Sequence, residues 1–564
     1  MNEKTRRASL NVTSTQGWKF ACLCAATLAG MALVGSRAQP RKAAATVKAF
    51  HSQPVANEQG SLDYLLEDGQ IVDGTGSPER RADVGIRGDR VVFVGDAAAA
   101  HVTATHVISA KGLIICPGFI DPHTHADAYL SDPARRSNLN YIMQGVTTVV
   151  TGNDGGGPIE IAATLDKWQA GSVGTNVALL TGFGTIRRAV MGMVADAPTP
   201  AQLDQERADV RLAMQQGAFG LSAGLFYAPQ SFSKTDEVIA LAKVAAQFGG
   251  IYDTHMRDED SYSIGLLGSI DETLRIGREA GIPVHISHIK ALGPEVWGES
   301  VPAIAKINAA LAAGQKVFAC QYPYNGSGTA LPAALLPPWA QEGSAEERQA
   351  RLADPAQRAK LLGAIQENIK RRGGANTLLF TSHKMTELFA KTLAQVAAGR
   401  KMPAAETALE ILQKSARDKT MNQLGVISFN MSEKDIDNFM REPWDMTCSD
   451  GSLGHPRLYG TFPRKLLMYV FQKKLITLPF MVHVSSEEPA EMLGLRERGL
   501  LRQGYFADVI AFDPKTVADK ATYDRPEVLS TGMRYVFING SLAVNKGKYT
   551  GTLAGRGLKH TTRH

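Results

Sequence analysis

Short apolar runs alternate with amphipathic stretches through the middle of the chain, half-sets of alternating strands stand at both ends, and one gap between runs is far too long for a loop. These three observations predict an α/β protein: a (β/α)8 barrel of the TIM type, a small β-sandwich formed from both chain ends, and an insertion before the last barrel strand. The length of 564 residues, 44% hydrophobic and 21% charged, suits a large barrel with a smaller appended domain.

At the N-terminus, Lys4, Arg6, Arg7 and Lys19 precede an apolar, Ala-rich run over 20–35, and Ser36-Arg37-Ala38 follows as a small-x-small cleavage pattern. Residues 1–38 therefore read as a signal peptide, the apolar run being short for a membrane span. The expectation is a periplasmic or secreted protein with no stable membrane association after cleavage. Cleavage would remove five basic residues and Glu3, so the formal charge falls from +6 to +2. No basic tract remains to bind nucleic acid. Cys116, Cys320 and Cys448 are left, an odd and widely spaced set that excludes a disulfide framework.

The sandwich is expected from 62–117 and 503–557. Its strands are read at 64–66, 70–72, 83–87 and 90–94, and again at 507–512, 535–538 and 540–544, with turn signals such as Glu67-Asp68-Gly69 between them. The barrel is expected over 118–502. Its strands are read at 119–123, 147–151, 177–182, 219–223, 251–255, 284–288, 316–321 and 446–450. The gap before the eighth contains a charged helical stretch at 346–372 and strand-like runs at 378–381 and 426–429. Residues 330–425 are read as an insertion over the barrel mouth. No pattern specifies an oligomeric state.

The chemistry gathers at the C-terminal ends of these strands, where barrels of this kind build their sites. His123 and His125 end the first strand; residues i and i+2 point to one side, so both imidazoles can face one metal. His255 ends the fifth strand, His288 the sixth and Asp450 the eighth. A single histidine of this set would read as structural. Four with a carboxylate at one barrel end match the nitrogen and oxygen ligands that zinc prefers.

Gly118-Phe-Ile-Asp-Pro-His-Thr-His125 resembles the metal motif of the amidohydrolase superfamily, and the chain resembles more narrowly the D-aminoacylases, or N-acyl-D-amino-acid deacylases. The segments that carry this are Gly145-Val-Thr-Thr-Val-Val-Thr-Gly-Asn153, Gly220-Leu-Ser-Ala-Gly-Leu-Phe-Tyr227 and Thr254-His-Met-Arg-Asp-Glu259. They continue with His288-Ile-Lys290, Tyr322-Pro-Tyr324, Ser449-Asp-Gly451 and His455-Pro-Arg-Leu-Tyr-Gly-Thr-Phe-Pro-Arg464. Asp73-Gly-Thr-Gly76 and Ala507-Asp-Val-Ile-Ala-Phe-Asp513 match in the terminal pieces.

The resemblance implies zinc-dependent cleavage of the amide bond of N-acyl-D-amino acids. His255, His288 and Asp154 would hold the principal zinc, and His123 and His125 a second, weaker position. Asp450 would be the general base. Lys290, Tyr227 and Tyr322 would contact a small N-acylated amino acid. Two positions depart from the family pattern: Asp154 stands where a cysteine thiolate helps bind the metal, and Cys320 where an aspartate is usual. The competing reading is another amidohydrolase activity on the same site, such as a cyclic amidase, dipeptidase or lactonase; no lysine ends the fourth strand to serve as a carbamylated bridge. A metal-binding periplasmic protein without activity is the reading from a different class.

Overall fold

The computed structural model describes residues 61–381 and 386–561; the segment read as a signal peptide lies outside them. Among the described residues no helix is long and apolar enough to cross a membrane.

Eight parallel strands run in chain order, each return made through helical connections, which is the (β/α)8 arrangement. They are Phe119–Asp121, Val146–Thr151, Asn176–Leu179 with its continuation Thr181–Gly182, Gly220–Gly224, Ile251–His255, Val284–Ile286, Val317–Gln321 and Asp445–Thr447. The third strand pairs with the second through its first segment and with the fourth through its continuation. Between the last strand and the first, the Asp450 amide donates to the His123 carbonyl at 3.0 Å. The Ser449 amide donates to the Asp121 carboxylate at 3.1 Å in the same place.

Alternate residues of these strands fill the interior: Ile120, Val150, Ala178, Phe219, Ile251, Phe318, Cys320 and Met446 form one buried cluster. Each such aliphatic or aromatic side chain contributes roughly 1.5–3 kcal/mol by leaving water. Cys320 is a packing residue here, with its sulfur accepting from the His288 amide at 3.2 Å.

The helices begin where the chain supplies caps. Thr199 and Gln202 form a reciprocal capping box at the start of Pro200–Gln215, with proline at the first turn. Ser344 and Glu347 do the same for Ala345–Ala353. The single helical stretch read over 346–372 is two helices, Ala345–Ala353 and Arg358–Arg371. Asp354 precedes Pro355 and is extended, as the residue before proline must be to avoid its ring.

Both chain ends contribute to a pair of sheets. One holds Leu62–Glu67, Asp83–Arg87, Arg90–Gly95 and Ala104–Ser109; the other joins Ile114–Pro117 to Val509–Phe512, Met533–Ile538 and Ser541–Asn545. Leu66, Val84 and Ile86 of the first pack with Ile115, Val509 and Phe537 of the second. Between the seventh and eighth barrel strands, the helices Arg358–Arg371 and Ala404–Arg417 enclose their own core around Leu361, Ile365, Leu409 and Leu412. They carry an antiparallel sheet of Gly326–Ala330, Gly425–Phe429 and Leu378–Phe380.

Candidate active site

A cavity of about 990 Å³ opens at the C-terminal ends of the barrel strands. His125, Asp154, His255, His288, Lys290, Tyr227 and Asp450 line it, and Gly328, Thr329, Gly425 and Ile427 of the antiparallel sheet form a facing wall.

Only His255 is the last residue of its strand. The first, sixth and eighth strands stop at Asp121, Ile286 and Thr447, short of the ends read from the sequence. His123, His288 and Asp450 occupy the turns that follow. Three of the site residues lie in the left-handed region, Asp154 at φ 55°, His288 at φ 37° and Asp450 at φ 44°. Non-glycine residues are uncommon there, and such strain collects at functional sites where the surroundings over-determine the backbone.

Asp154 is fixed from beneath. The Gln230 amide donates to the Asp154 carbonyl at 3.0 Å and its oxygen accepts from the Gly224 amide at 2.7 Å. Ser222 Oγ donates to the Gly152 carbonyl at 2.5 Å and accepts from the Gly155 amide at 3.1 Å. A Cβ on Gly224 would stand 2.5 Å from the Asp154 carbonyl oxygen, so only glycine lets the fourth strand approach this loop.

The side chains converge. Asp154 Oδ1 lies 3.5 Å from His123 Nε2, 3.6 Å from His288 Nε2 and 3.9 Å from His255 Nδ1; its Oδ2 lies 3.6 Å from His125 Nε2. Asp450 Oδ1 is 3.1 Å from His125 Nε2 and 3.7 Å from His123 Nε2. Two nitrogen atoms, His255 Nδ1 and His288 Nε2, face each other at 3.0 Å.

Buried polar atoms without partners are costly, and this site holds several: both ring nitrogens of His123 and Oδ1 of Asp154. These orphaned atoms, with the opposed nitrogens of His255 and His288, are what a divalent cation would satisfy. Imidazole nitrogen and carboxylate oxygen suit zinc among the transition metals. The residues present therefore fit a metal centre.

The electrostatics agree. Burial pushes His123 down to about 3 and His255 down to about 4, which keeps both neutral as ligands must be. For His288, burial and Lys290 favour the neutral ring. Asp450, Glu259 and Asp154 outweigh them and raise it to about 9. Burial alone would raise Asp154; the surrounding histidines more than offset this and hold it ionised. The carboxylates thus keep a positive charge on His288 that a divalent cation would replace.

Sequence reading gave no role to Glu259, Arg457 or Gln230, although the first two stand inside the quoted motifs. Glu259 faces the far side of two ligand candidates, Oε2 at 3.6 Å from His255 Nε2 and Oε1 at 3.2 Å from His288 Nδ1. The i, i+4 spacing from His255 was the available signal. Lys290 Nζ donates to Glu259 Oε1 at 2.7 Å and to the His288 carbonyl at 2.9 Å, so its ammonium is committed within the protein. Arg457 Nη2 is 2.8 Å from Asp450 Oδ2, while its Nε and Nη1 have no hydrogen-bond partner among the described residues. Burial would raise Asp450, but Arg457 and then His288 outweigh it and hold the carboxylate well below the usual range.

Tyr227 lines the cavity with its hydroxyl 3.3 Å from Thr329 Oγ1. Tyr322 is only 1% exposed and stands behind the wall: its ring lies 4.3 Å from the Arg457 guanidinium and its hydroxyl points to Met431 Sδ at 3.7 Å.

The profile of the Amidohydrolase family matches residues 106–544. A D-aminoacylase from Alcaligenes xylosoxydans xylosoxydans is 35% identical over 529 residues, spanning 89% of this chain and 98% of that protein. The crystal structure of the N-acyl-D-glutamate deacylase of Bordetella bronchiseptica, complexed with zinc and a phosphonate mimic of the tetrahedral intermediate, superposes with a TM-score of 0.75. It is 30% identical and covers 89% of this chain and all of its own. A D-aminoacylase structure described for its binuclear metal centre, with activation by one metal and attenuation by a second, gives a TM-score of 0.74. It is 32% identical over 88% of this chain and 100% of its own. With a family profile across most of the chain and relatives matched from end to end, the chain belongs to the amidohydrolase family, among the D-aminoacylases.

Proposed function

We propose that this protein is a zinc-dependent hydrolase that removes the acyl group from N-acyl-D-amino acids, releasing a carboxylate and a free D-amino acid. The observation that carries the reading is the convergence of His125, Asp154, His255, His288 and Asp450 on one cavity, with His123 buried against them. In this reading His255, His288 and Asp154 hold the tighter metal, and His123 and His125 a weaker second position that Asp154 and Asp450 adjoin. Zinc supplies polarisation of the amide carbonyl and a water of lowered pKa.

The chain's own residues do the rest. Asp450 accepts the proton of the attacking water through the oxygen that faces His125, and Arg457 grips the other oxygen and fixes the carboxylate plane. The proton then passes to the departing amine, which is otherwise a poor leaving group. The guanidinium of Arg457 lines the cavity beside Asp450 and offers its charge to the α-carboxylate of the substrate, next to the nitrogen that Asp450 protonates. Tyr227 offers a hydroxyl on the opposite wall. Glu259 orients the ligand histidines from behind, as outer carboxylates do in metal sites. The N-terminal signal reading supports an activity in the periplasm or outside the cell.

The test is hydrolysis of a panel of N-acetyl, N-succinyl and N-long-acyl D- and L-amino acids, with metal content measured on the same sample. Release of D-amino acids in proportion to bound metal is expected. A metal-loaded protein that hydrolyses no member of the panel would remove the reading.

A further inference from the structure

Each cationic side chain that lines the cavity can be asked what balances it. Lys290 is balanced by Glu259 and Arg457 by Asp450. Arg135 is half exposed and within 3.5 Å of Asp132. Arg372 differs: it is 2% exposed, lines the cavity, and forms no ion pair among the described residues. Its Nε donates to the Tyr262 hydroxyl at 2.6 Å and its Nη1 to Ser428 Oγ at 3.0 Å, both neutral acceptors. No described residue accepts from Nη2. Asp260 feels the Arg372 charge without reaching it, and burial raises that carboxyl to about 7, so it offsets the arginine only in part. An arginine can never shed its proton to escape this situation. A buried guanidinium held by neutral groups and open to a cavity is a site that lacks its anion.

Its position is set by an aromatic wall. The guanidinium lies 5.6 Å from the Tyr262 ring centre, Tyr262 stacks edge-on to Phe226 at 5.3 Å, and Phe226 lies 5.7 Å from the His255 ring. Arg372 therefore stands beyond Tyr262 and Phe226 from His255, and it lines the same cavity as Arg457. A group bound there belongs to the same substrate but is held apart from the metal ligands by two rings, and by an arginine other than the one that grips Asp450. It also comes from the helical insertion, which ties substrate choice to that element and not to the barrel.

We propose that Arg372, oriented by Tyr262 and Ser428, is the anchor for a second carboxylate on the substrate, so that the preferred N-acyl-D-amino acids are dicarboxylic. This rests on the deacylase reading above. The second carboxylate has two sources with one chemistry: an acidic side chain, or a dicarboxylic acyl group.

Isosteric pairs separate the two and isolate the charge. N-acetyl-D-glutamate is compared with N-acetyl-D-glutamine, and N-succinyl-D-alanine with its succinamoyl counterpart, using the metal-loaded enzyme. The wild-type protein is expected to favour the acid over the amide in kcat/KM by roughly 10- to 100-fold in at least one pair, and that pair names the source. In Arg372→Met the acid-to-amide ratio should collapse to about one. Arg372→Lys, which keeps the charge but loses the fork, should retain only part of it and serves if the methionine variant fails to fold. Hydrolysis of both members of each pair at equal efficiency in the wild type, or a ratio that survives Arg372→Met, overturns the subsite alone. No hydrolysis of any N-acyl-D-amino acid overturns the deacylase reading and the subsite with it.

Discussion

His255 Nδ1 and His288 Nε2 face each other at 3.0 Å, and the opposite nitrogen of each ring turns to the same carboxylate, that of Glu259. One side chain thus sets the rotation of two rings from adjacent strands. Lys290 Nζ reaches both groups, 2.8 Å from His288 Nδ1 and 2.7 Å from Glu259 Oε1, while His288 Nε2 faces the metal candidates. Lys290 fixes Glu259 in turn.

The first prediction follows from that arrangement. Glu259→Gln preserves the shape but removes the negative charge behind both rings. Metal affinity should fall by roughly 10- to 100-fold, read by competition with a chromophoric chelator. Unchanged affinity would show that the two histidines are held by packing alone.

Asp450→Asn keeps the outline of the side chain and its contact with Arg457 but cannot take a proton. We expect kcat to fall by about 10²–10⁴-fold with metal content near wild type. Loss of metal in parallel with activity, restored by added zinc, would make Asp450 a ligand instead of the base. A variant that keeps its metal and turns over normally would send the search to other carboxylates of the cavity.

Asp154→Cys should retain metal, since a thiolate is a stronger zinc ligand than a carboxylate oxygen, whereas Asp154→Ala should lose it. Gly224→Ala tests the scaffold beneath without touching a ligand. The added methyl must displace the Asp154 carbonyl 2.5 Å away, and metal affinity should drop while the barrel stays folded. Elemental analysis of the three proteins decides; equal metal in all of them would exclude Asp154 from the site.

Much of this site was legible from the order of residues alone. His123, His125, His255 and His288 were readable because each follows an apolar run, and a run that ends in a histidine puts it at the barrel rim. Glu259 was not, because its approach depends on a loop that doubles back. Asp258 accepts from the amides of Asp260, Ser263 and Gly265, and that turn brings residue 259 under both rings. The Ile114–Pro117 strand was equally hidden. Its apolar run leads straight into the first barrel strand, so nothing in periodicity separates a strand of the terminal sheets from one of the barrel. The break at Asp354-Pro355 was visible and simply outweighed by the surrounding charged helix formers.

A fourth prediction concerns stability and pH. Glu206 is buried with neither carboxylate oxygen partnered among the described residues, and burial, with Glu237 adding to it, raises the group to about 7 from 4.5. The folded state then holds this proton more tightly than the unfolded chain. Stability contributed here is lost as pH rises from about 4.5 to 7. Glu206→Gln should raise the stability of the protein by about 1–3 kcal/mol at pH 8 and change it little below pH 4.5. Melting temperatures of both proteins across that range check it; a parallel offset at every pH would refute the assignment.

The hydrogen bond from the Asp450 amide to the His123 carbonyl has a consequence for how the enzyme comes into being. It joins the two ends of the barrel's sequence, and the side chains that flank it, His125 and Asp450, are 325 residues apart. As the chain emerges from its N-terminus, the earliest ligands wait for nearly the whole barrel before their last neighbour exists. The carboxylate of Asp450 is therefore the last of these groups to arrive, and contacts this distant in sequence form slowly. If Asp450 is the base, a nascent or truncated chain lacking the eighth strand carries most of the candidate ligands without it, and hydrolytic activity should arrive with the final closure.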